Sequence, residues 1–321
     1  MKVAVETQID AISDAARARI AMVRPILRAT LYSLHQERVE RLGGYDRVTL
    51  ADLAREYREG SGDCGICFEY AVHDAIRHQD PQIYPLISEV LENFCGIRQG
   101  TQSILFGAEK TGGLSLIETA SSLLTDDSRI LVGKTGQPPK LKRHLQKLLR
   151  AFRSASDRDV LPPSIRGLWR ADLFVGSPQE DRWVGTTLKI NAVDLEGAPG
   201  LRIGIYPERK KGERPSRDDS KNLILCPLPY NAGFMELFYS SFFVVRQFLA
   251  ADAQLPRPVA LPNSDDRHVA AELVARRQFP ILEIVDVLGP MAQPNLLSSS
   301  TIGEPSPGTD TSAVAPVAQK T

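Results

Sequence analysis

Two adjacent prolines, Pro162 and Pro163, stand where the apolar pattern of the chain changes its period. Before them apolar residues recur every three or four positions, and after them, for about sixty residues, every second position. A chain patterned in this way builds helices first and then a sheet on which those helices can bury their apolar stripes. Neither proline fits a helix interior or a central strand, so the switch marks a structural boundary.

In the first part, Ile12, Ala16, Ile20, Val23, Ile26, Leu27, Leu31 and Leu34 keep helical spacing across residues 8–38, interrupted by Pro25, which predicts one kinked helix or two shorter ones. Thr49 is a plausible cap for a helix in "TLADLAREYRE" that stops before "GSGDCG". Further helices are expected from about Gly65 through "ICFEYAVHDAIRH", in "PLISEVLENFC" and in "PPKLKRHLQKLLRAFRSA". Beyond the prolines, "ADLFVG", "RWVGTTLKIN", "LRIGIYP" and "NLILCPLP" read as strands separated by turn signals. The following "GFMELFYSSFFVVRQFLA" is apolar nearly all round, as a helix buried against a sheet must be. Then come a helical "DRHVAAELVARRQF" and a run "PILEIVDVL" that fits strand or helix.

The expected fold is α/β: a mixed central sheet flanked by helices. Residues 1–60 form a helical N-terminal region and 61–290 an α/β domain with a helical insertion at about 80–165. Residues 291–321, rich in Ser, Thr, Pro, Gly and Ala and without aromatics, cannot offset their ordering entropy and are expected to be disordered.

Composition narrows the function classes. Lys plus Arg equals Asp plus Glu at 39 each, so bulk charge recommends neither nucleic acid nor a membrane, and any such affinity has to come from local patches. Four cysteines are too few for a disulfide framework in 321 residues. No stretch approaches the roughly 18 apolar residues of a membrane span, and the acidic N-terminus is unlike a signal peptide. A cytoplasmic protein without a membrane partner is expected. Cys64 and Cys67 have the spacing of half a zinc site, but no second pair follows, so they are read as packing residues.

Two charged residues interrupt the strand patterns: Asp172 in the first strand and Lys189 in the second. Period two puts Val184, Thr186, Leu188 and Ile190 on the core face of the second strand, with Trp183, Gly185, Thr187, Lys189 and Asn191 on the other. A hairpin between the strands brings Asp172 near Lys189, either as a cross-strand ion pair or as part of a metal site. Glu69 and His73 lie one turn apart on a helix, as hydrogen-bonded neighbours or as a metal pair. The basic helix with Lys140, Lys142, Arg143 and Lys147, and the loop with Arg209, Lys210 and Lys211, are solvated surfaces or contacts to a DNA backbone.

An aspartate on one strand, a hairpin, and then Thr187-Leu188-Lys189 on the next resembles the PD-(D/E)xK nuclease superfamily, with Thr in place of the second acidic residue and Arg170-Ala171 before Asp172 where the family has a proline. The order of helix with Glu69, strands and helix resembles that family too, over about residues 60–250. The resemblance implies a restriction-endonuclease-like fold and a Mg²⁺- or Mn²⁺-dependent endodeoxyribonuclease of restriction or phage defence. It implies Asp172, Glu69 and the Leu188 backbone carbonyl as metal ligands, Thr187 as a weak one, and Lys189 as the residue beside the attacking water. Carboxylates suit this chemistry because phosphodiester cleavage adds charge to an anion, which hard cations on oxygen ligands stabilise. With Thr187 one unit of charge is missing. Either Glu69 and Asp172 suffice, or Glu180, Asp181 or Asp194 replaces it, or the site is inactive and the chain is a nuclease-fold module that binds nucleic acid or a partner protein in a defence complex. DNA is the expected partner, with a partner protein or a homodimer as further possibilities.

Overall fold

The computed structural model describes residues 13–57, 63–106, 123–132, 140, 142, 171–197, 200–230, 233–251, 261 and 263–289. The tail at 291–321, most of the expected insertion, and the basic residues Arg143 and Lys147 lie outside the described residues. The elements are α1 (Asp14–Tyr32), α2 (Gln36–Arg41), α3 (Leu50–Glu56), α4 (Asp63–Arg77), α5 (Ile83–Val90), β1 (Gln102–Leu105), β2 (Arg129–Ile130), β3 (Leu173–Ser177), β4 (Arg182–Leu188), β5 (Arg202–Pro207), β6 (Ser216–Asp218), β7 (Leu223–Leu228), α6 (Phe234–Ala250), α7 (Ser264–Ala275) and α8 (Ile281–Leu288).

Local chemistry sets the helix starts. Thr49 and Asp52 form a reciprocal capping box on α3. The Ser13 and Asn263 side chains accept backbone N–H groups at the starts of α1 and α7. α1 passes Pro25 as one helix, its buried Ile20, Val23, Ile26, Leu27 and Leu31 offsetting the backbone bond that proline removes. The ambiguous "PILEIVDVL" is helical: Ile281, Ile284, Val285 and Leu288, the i, i+3, i+4 and i+7 positions, are the buried ones.

The seven-stranded mixed sheet has the order β1-β3-β4-β5-β7-β6, with β2 pairing with β4 beside the start of that strand. β1 and β3 are antiparallel, as are β3 and β4, while β4, β5 and β7 run parallel. The C-terminal ends of β4, β5 and β7 therefore share one end of the sheet, where β3 begins.

Leu173, Val175, Val184, Leu188, Ile203, Ile205, Ile224 and Cys226 face one way and join the helices in a single core. That core also contains Ile20, Leu27, Leu50 and Leu53, and α1 packs against α4, α6, α7 and α8, so the described part of the N-terminal helical region shares its core with the sheet. The second face of β4 is covered too: Trp183, Gly185 and Thr187 are buried as well. A strand between two neighbours in a partly parallel sheet is covered on both faces.

Gly176 lets β3 approach β4. A Cβ there would lie 2.1 Å from the Arg182 carbonyl oxygen and 2.7 Å from the Trp183 Cα. Gly176→Ala is expected to cost about 1–3 kcal/mol, because backbone has to move. Gly65→Ala, in α4 with no atom within 4 Å of the added carbon, is expected to raise stability by up to about 1 kcal/mol. Thermal or urea unfolding of the two variants measures both.

Candidate functional site

The site is built where β3 begins and β4 ends. Asp172 precedes β3, and its backbone N–H donates to the Thr186 carbonyl while its carbonyl accepts from Phe106 N–H, which fixes it to both neighbouring strands. Its carboxylate then turns toward β4. Oδ2 accepts from the Thr187 hydroxyl at 3.1 Å and from Leu188 N–H at 2.8 Å. With β3 only starting here, the aspartate side chain serves as the partner that a strand backbone provides elsewhere. Strand residues point N–H and C=O to the same neighbour, so the Leu188 carbonyl is also directed to the Asp172 side. Asp172 and Thr187 are each 7% exposed.

Lys189 follows. Its backbone N–H donates to the Ile205 carbonyl at 3.0 Å, so the β4–β5 ladder continues through it and its side chain falls on the Thr187 face. It is half-buried and makes no ion pair among the described residues. The cross-strand pair with Asp172 is therefore not formed: the carboxylate is engaged by Thr187 and Leu188, and the ammonium stands apart.

Glu69 is buried in α4, which packs on β1 and β4. One turn on, His73 Nδ1 is 3.0 Å from the Ser103 hydroxyl. Ser103 is paired with Val175 and so belongs to the core side of the sheet. Glu69 shares that side, whereas Thr187 and Lys189 belong to the opposite one. The structure thus joins Asp172, Thr187 and Leu188 directly and sets Glu69 and Lys189 on different sides of the sheet.

Of the acids that might stand in for the missing one, Glu180 accepts Arg98 N–H and Gln99 N–H at 2.7 and 2.9 Å, and Asp181 accepts the Thr125 and Ser128 hydroxyls. Both sit in the β3–β4 turn, at the other end of the hairpin, and do not reach Asp172. Asp194 is exposed on a turn after β4; its neighbour Leu195 packs with Tyr206 and Leu223, placing the segment on the Lys189 side.

The basic candidates also divide. Lys140 pairs with Asp127 at 2.6 Å and Lys142 with Asp126 at 3.3 Å, so local acids already occupy both. Arg209 pairs with Glu213 at 3.2 Å. Lys210 and Lys211 are exposed and form no ion pair among the described residues. Sequence reading did not foresee the carboxylates of Glu208 and Glu213 that frame these lysines, although their spacing around a Lys-Lys-Gly turn was visible.

Burial, then the nearby Arg77, Arg28, His78 and Arg24, lower the His73 pKa to about 3. Above the ordinary value of about 6.5, His73 is neutral in folded and unfolded chains alike. Below it the unfolded chain takes up a proton that the folded one refuses until about pH 3, so stability is lost on acidification through that window. Between pH 7 and 5 the wild type is expected to lose about 2 kcal/mol more unfolding free energy than His73→Gln. Equal pH dependence in denaturant titrations of the two proteins would contradict a buried neutral imidazole.

Cys67, Cys95 and Cys226 are buried and Cys64 is half-buried, all as free thiols. Burial raises the Cys64 pKa to about 11 and that of Cys95 to about 12. Thiols held so firmly protonated are poor nucleophiles. Among the described residues no group of three or more His, Cys, Asp and Glu side chains forms a metal cluster, and no helix is long and apolar enough to cross a membrane.

No family model matches the chain, and no curated protein and no solved structure matches it. The class defined by the fold is a mixed α/β protein with a seven-stranded sheet.

Proposed function

We propose that the chain has a restriction-endonuclease-like fold and cleaves DNA phosphodiester bonds with the help of Mg²⁺ or Mn²⁺. The observation that carries this is the junction at the end of the hairpin: a carboxylate seated on Thr187 and Leu188, followed by a lysine that makes no ion pair among the described residues. Asp172, the Leu188 carbonyl and the Thr187 hydroxyl are hard oxygen donors, which fit such a cation in kind though with one carboxylate fewer than the family pattern. A bound cation supplies positive charge against the charge that develops on the phosphoryl oxygens. Thr187 and Leu188 fix the orientation of Asp172 through their two hydrogen bonds. Lys189, with no acidic partner among the described residues, holds a water or a phosphate oxygen and offsets charge in the transition state. Glu69, on the core side of the sheet, does not join this oxygen cluster, and restriction or phage defence is the setting the resemblance suggests.

The test is cleavage of single-stranded, duplex and supercoiled DNA by the purified chain with Mg²⁺, Mn²⁺ or EDTA, beside Asp172→Ala. Cleavage that needs the cation and falls at least about 100-fold in the variant supports the proposal. Cleavage that survives EDTA or the substitution removes it.

One observation favours a second reading. Oδ2 of Asp172 already has two donors from the chain itself, which gives the carboxylate partners without any cation. A nuclease-fold module that binds nucleic acid or a partner protein without cutting, as a subunit of a defence complex or as a homodimer, would keep this arrangement. It predicts binding indifferent to Mg²⁺ and to Lys189→Ala.

A further inference from the structure

The loop that leaves β5 is tied down by two carboxylates. Glu208 Oε2 accepts Gly212 N–H at 2.9 Å while its Oε1 accepts Tyr230 N–H at 2.9 Å, so one side chain bridges the turn to the segment after β7. Glu213 accepts the Tyr206 hydroxyl at 2.7 Å, Arg209 N–H at 3.0 Å and the Arg209 guanidinium at 3.2 Å, and its own N–H donates to the Lys210 carbonyl. Gly212 adopts φ +79°, in the left-handed region that lets the turn close. Arg209 is spent on this frame: it pairs with Glu213 and lies over the Tyr206 ring, 5.8 Å from its centroid. What the frame presents outward is Lys210 and Lys211, exposed and without an acid among the described residues.

Beside them stands Tyr230, 58% exposed. Its ring is braced by Tyr239, with centroids 5.9 Å apart, and its backbone is held by the same Glu208 that fixes the lysine turn. A large aromatic left in solvent on a backbone held by the carboxylate that also holds the lysine turn, with two lysines that form no ion pair among the described residues, matches what a flexible nucleic-acid strand offers: a phosphate for each lysine and a base face for the ring. The location agrees. Lys189 N–H is bonded to Ile205, and Lys210 lies five residues beyond Ile205 on the same end of the sheet, within about 18 Å by chain reach.

We infer that Lys210, Lys211 and Tyr230 form a strand-holding surface for unpaired nucleic acid, with phosphates on the lysines and a base stacked on the tyrosine, which guides the strand toward the end of β4. Arg209 and the two glutamates are positioning residues. The inference rests on the nucleic-acid reading proposed above, and its test is made without divalent cation so that binding is read apart from cleavage.

The full chain is titrated with a fluorescently labelled 12-nucleotide single strand and with its duplex across a range of salt concentrations. The expected result is tighter binding of the single strand than of the duplex. In Lys210→Ala/Lys211→Ala the slope of log K against log salt for the single strand falls by about 1.4. Tyr230→Ala is expected to weaken binding tenfold or more, while Tyr230→Phe retains wild-type affinity because the ring is kept. If the wild type binds but slope and affinity are unmoved in these variants, or if the duplex binds as tightly and Tyr230→Ala has no effect, the surface is overturned while the nuclease proposal stands. If the wild type binds no nucleic acid at all, the surface is overturned, and the cleavage assay with Mg²⁺ or Mn²⁺ decides the nuclease proposal by itself.

Discussion

Replacing Thr187 with Asp is expected to destabilise the protein by about 3 kcal/mol in the absence of divalent cations and to make it recover most of that loss when Mg²⁺ is added. The Thr187 hydroxyl now donates to Asp172 Oδ2 at 3.1 Å in a place where both residues are 7% exposed. A carboxylate in its stead removes the donor and sets two like charges within hydrogen-bond distance under low exposure, where one must be protonated or a cation must come between them. A cation at 100 times its dissociation constant returns about 2.7 kcal/mol by mass action. The wild type, with a single acid bonded to its own chain, is expected to respond less to the same addition. Urea unfolding with EDTA and with Mg²⁺ measures both effects, and the same samples report whether cleavage rises. A variant as stable as the wild type in EDTA, or one that Mg²⁺ does not rescue, would mean that no cation can reach this oxygen cluster.

Lys189→Ala is expected to lower the cleavage rate by about 10²–10⁴-fold, the range typical of a group that positions water or a proton in the transition state. The backbone of Lys189 stays in the β4–β5 ladder and its side chain makes no ion pair among the described residues, so the substitution removes the ammonium with little cost to folding. The loss belongs in kcat, with KM for DNA changed only slightly, because an interaction made in the transition state alone leaves ground-state binding intact. A Lys189→Ala protein that folds, binds DNA and cuts at the wild-type rate would remove Lys189 from the chemistry.

The strands could be read because β3, β4, β5 and β7 are runs of five to seven residues rich in apolar side chains and bounded by turn signals. β1 escaped notice: "QSIL" is four residues long and begins with two polar side chains. β6 is the polar "SRD" on a sheet edge, where solubility favours charge over pattern. The alternation in β4 correctly separated Thr187 and Lys189 from the main core but not whether their face was covered, since burial on that side depends on segments far away in sequence, such as Leu195 over Tyr206 and Leu223.

The meeting of Asp172 with Thr187 follows from the hairpin register and was within reach of sequence. That the carboxylate would take Leu188 N–H instead of the Lys189 ammonium was not, because it depends on where β3 stops and leaves a backbone donor open. The pairing of Lys140 with Asp127 and of Lys142 with Asp126 is likewise set by tertiary folding, which no charge run announces.

The most direct test of a cation site at the end of the β3–β4 hairpin is a crystal of the full chain soaked in Mn²⁺ and measured at the manganese absorption edge. The account predicts one anomalous peak in contact with the Asp172 carboxylate and the Leu188 carbonyl oxygen, absent from Asp172→Asn. No peak there at millimolar Mn²⁺, or a peak that the substitution leaves in place, would contradict it.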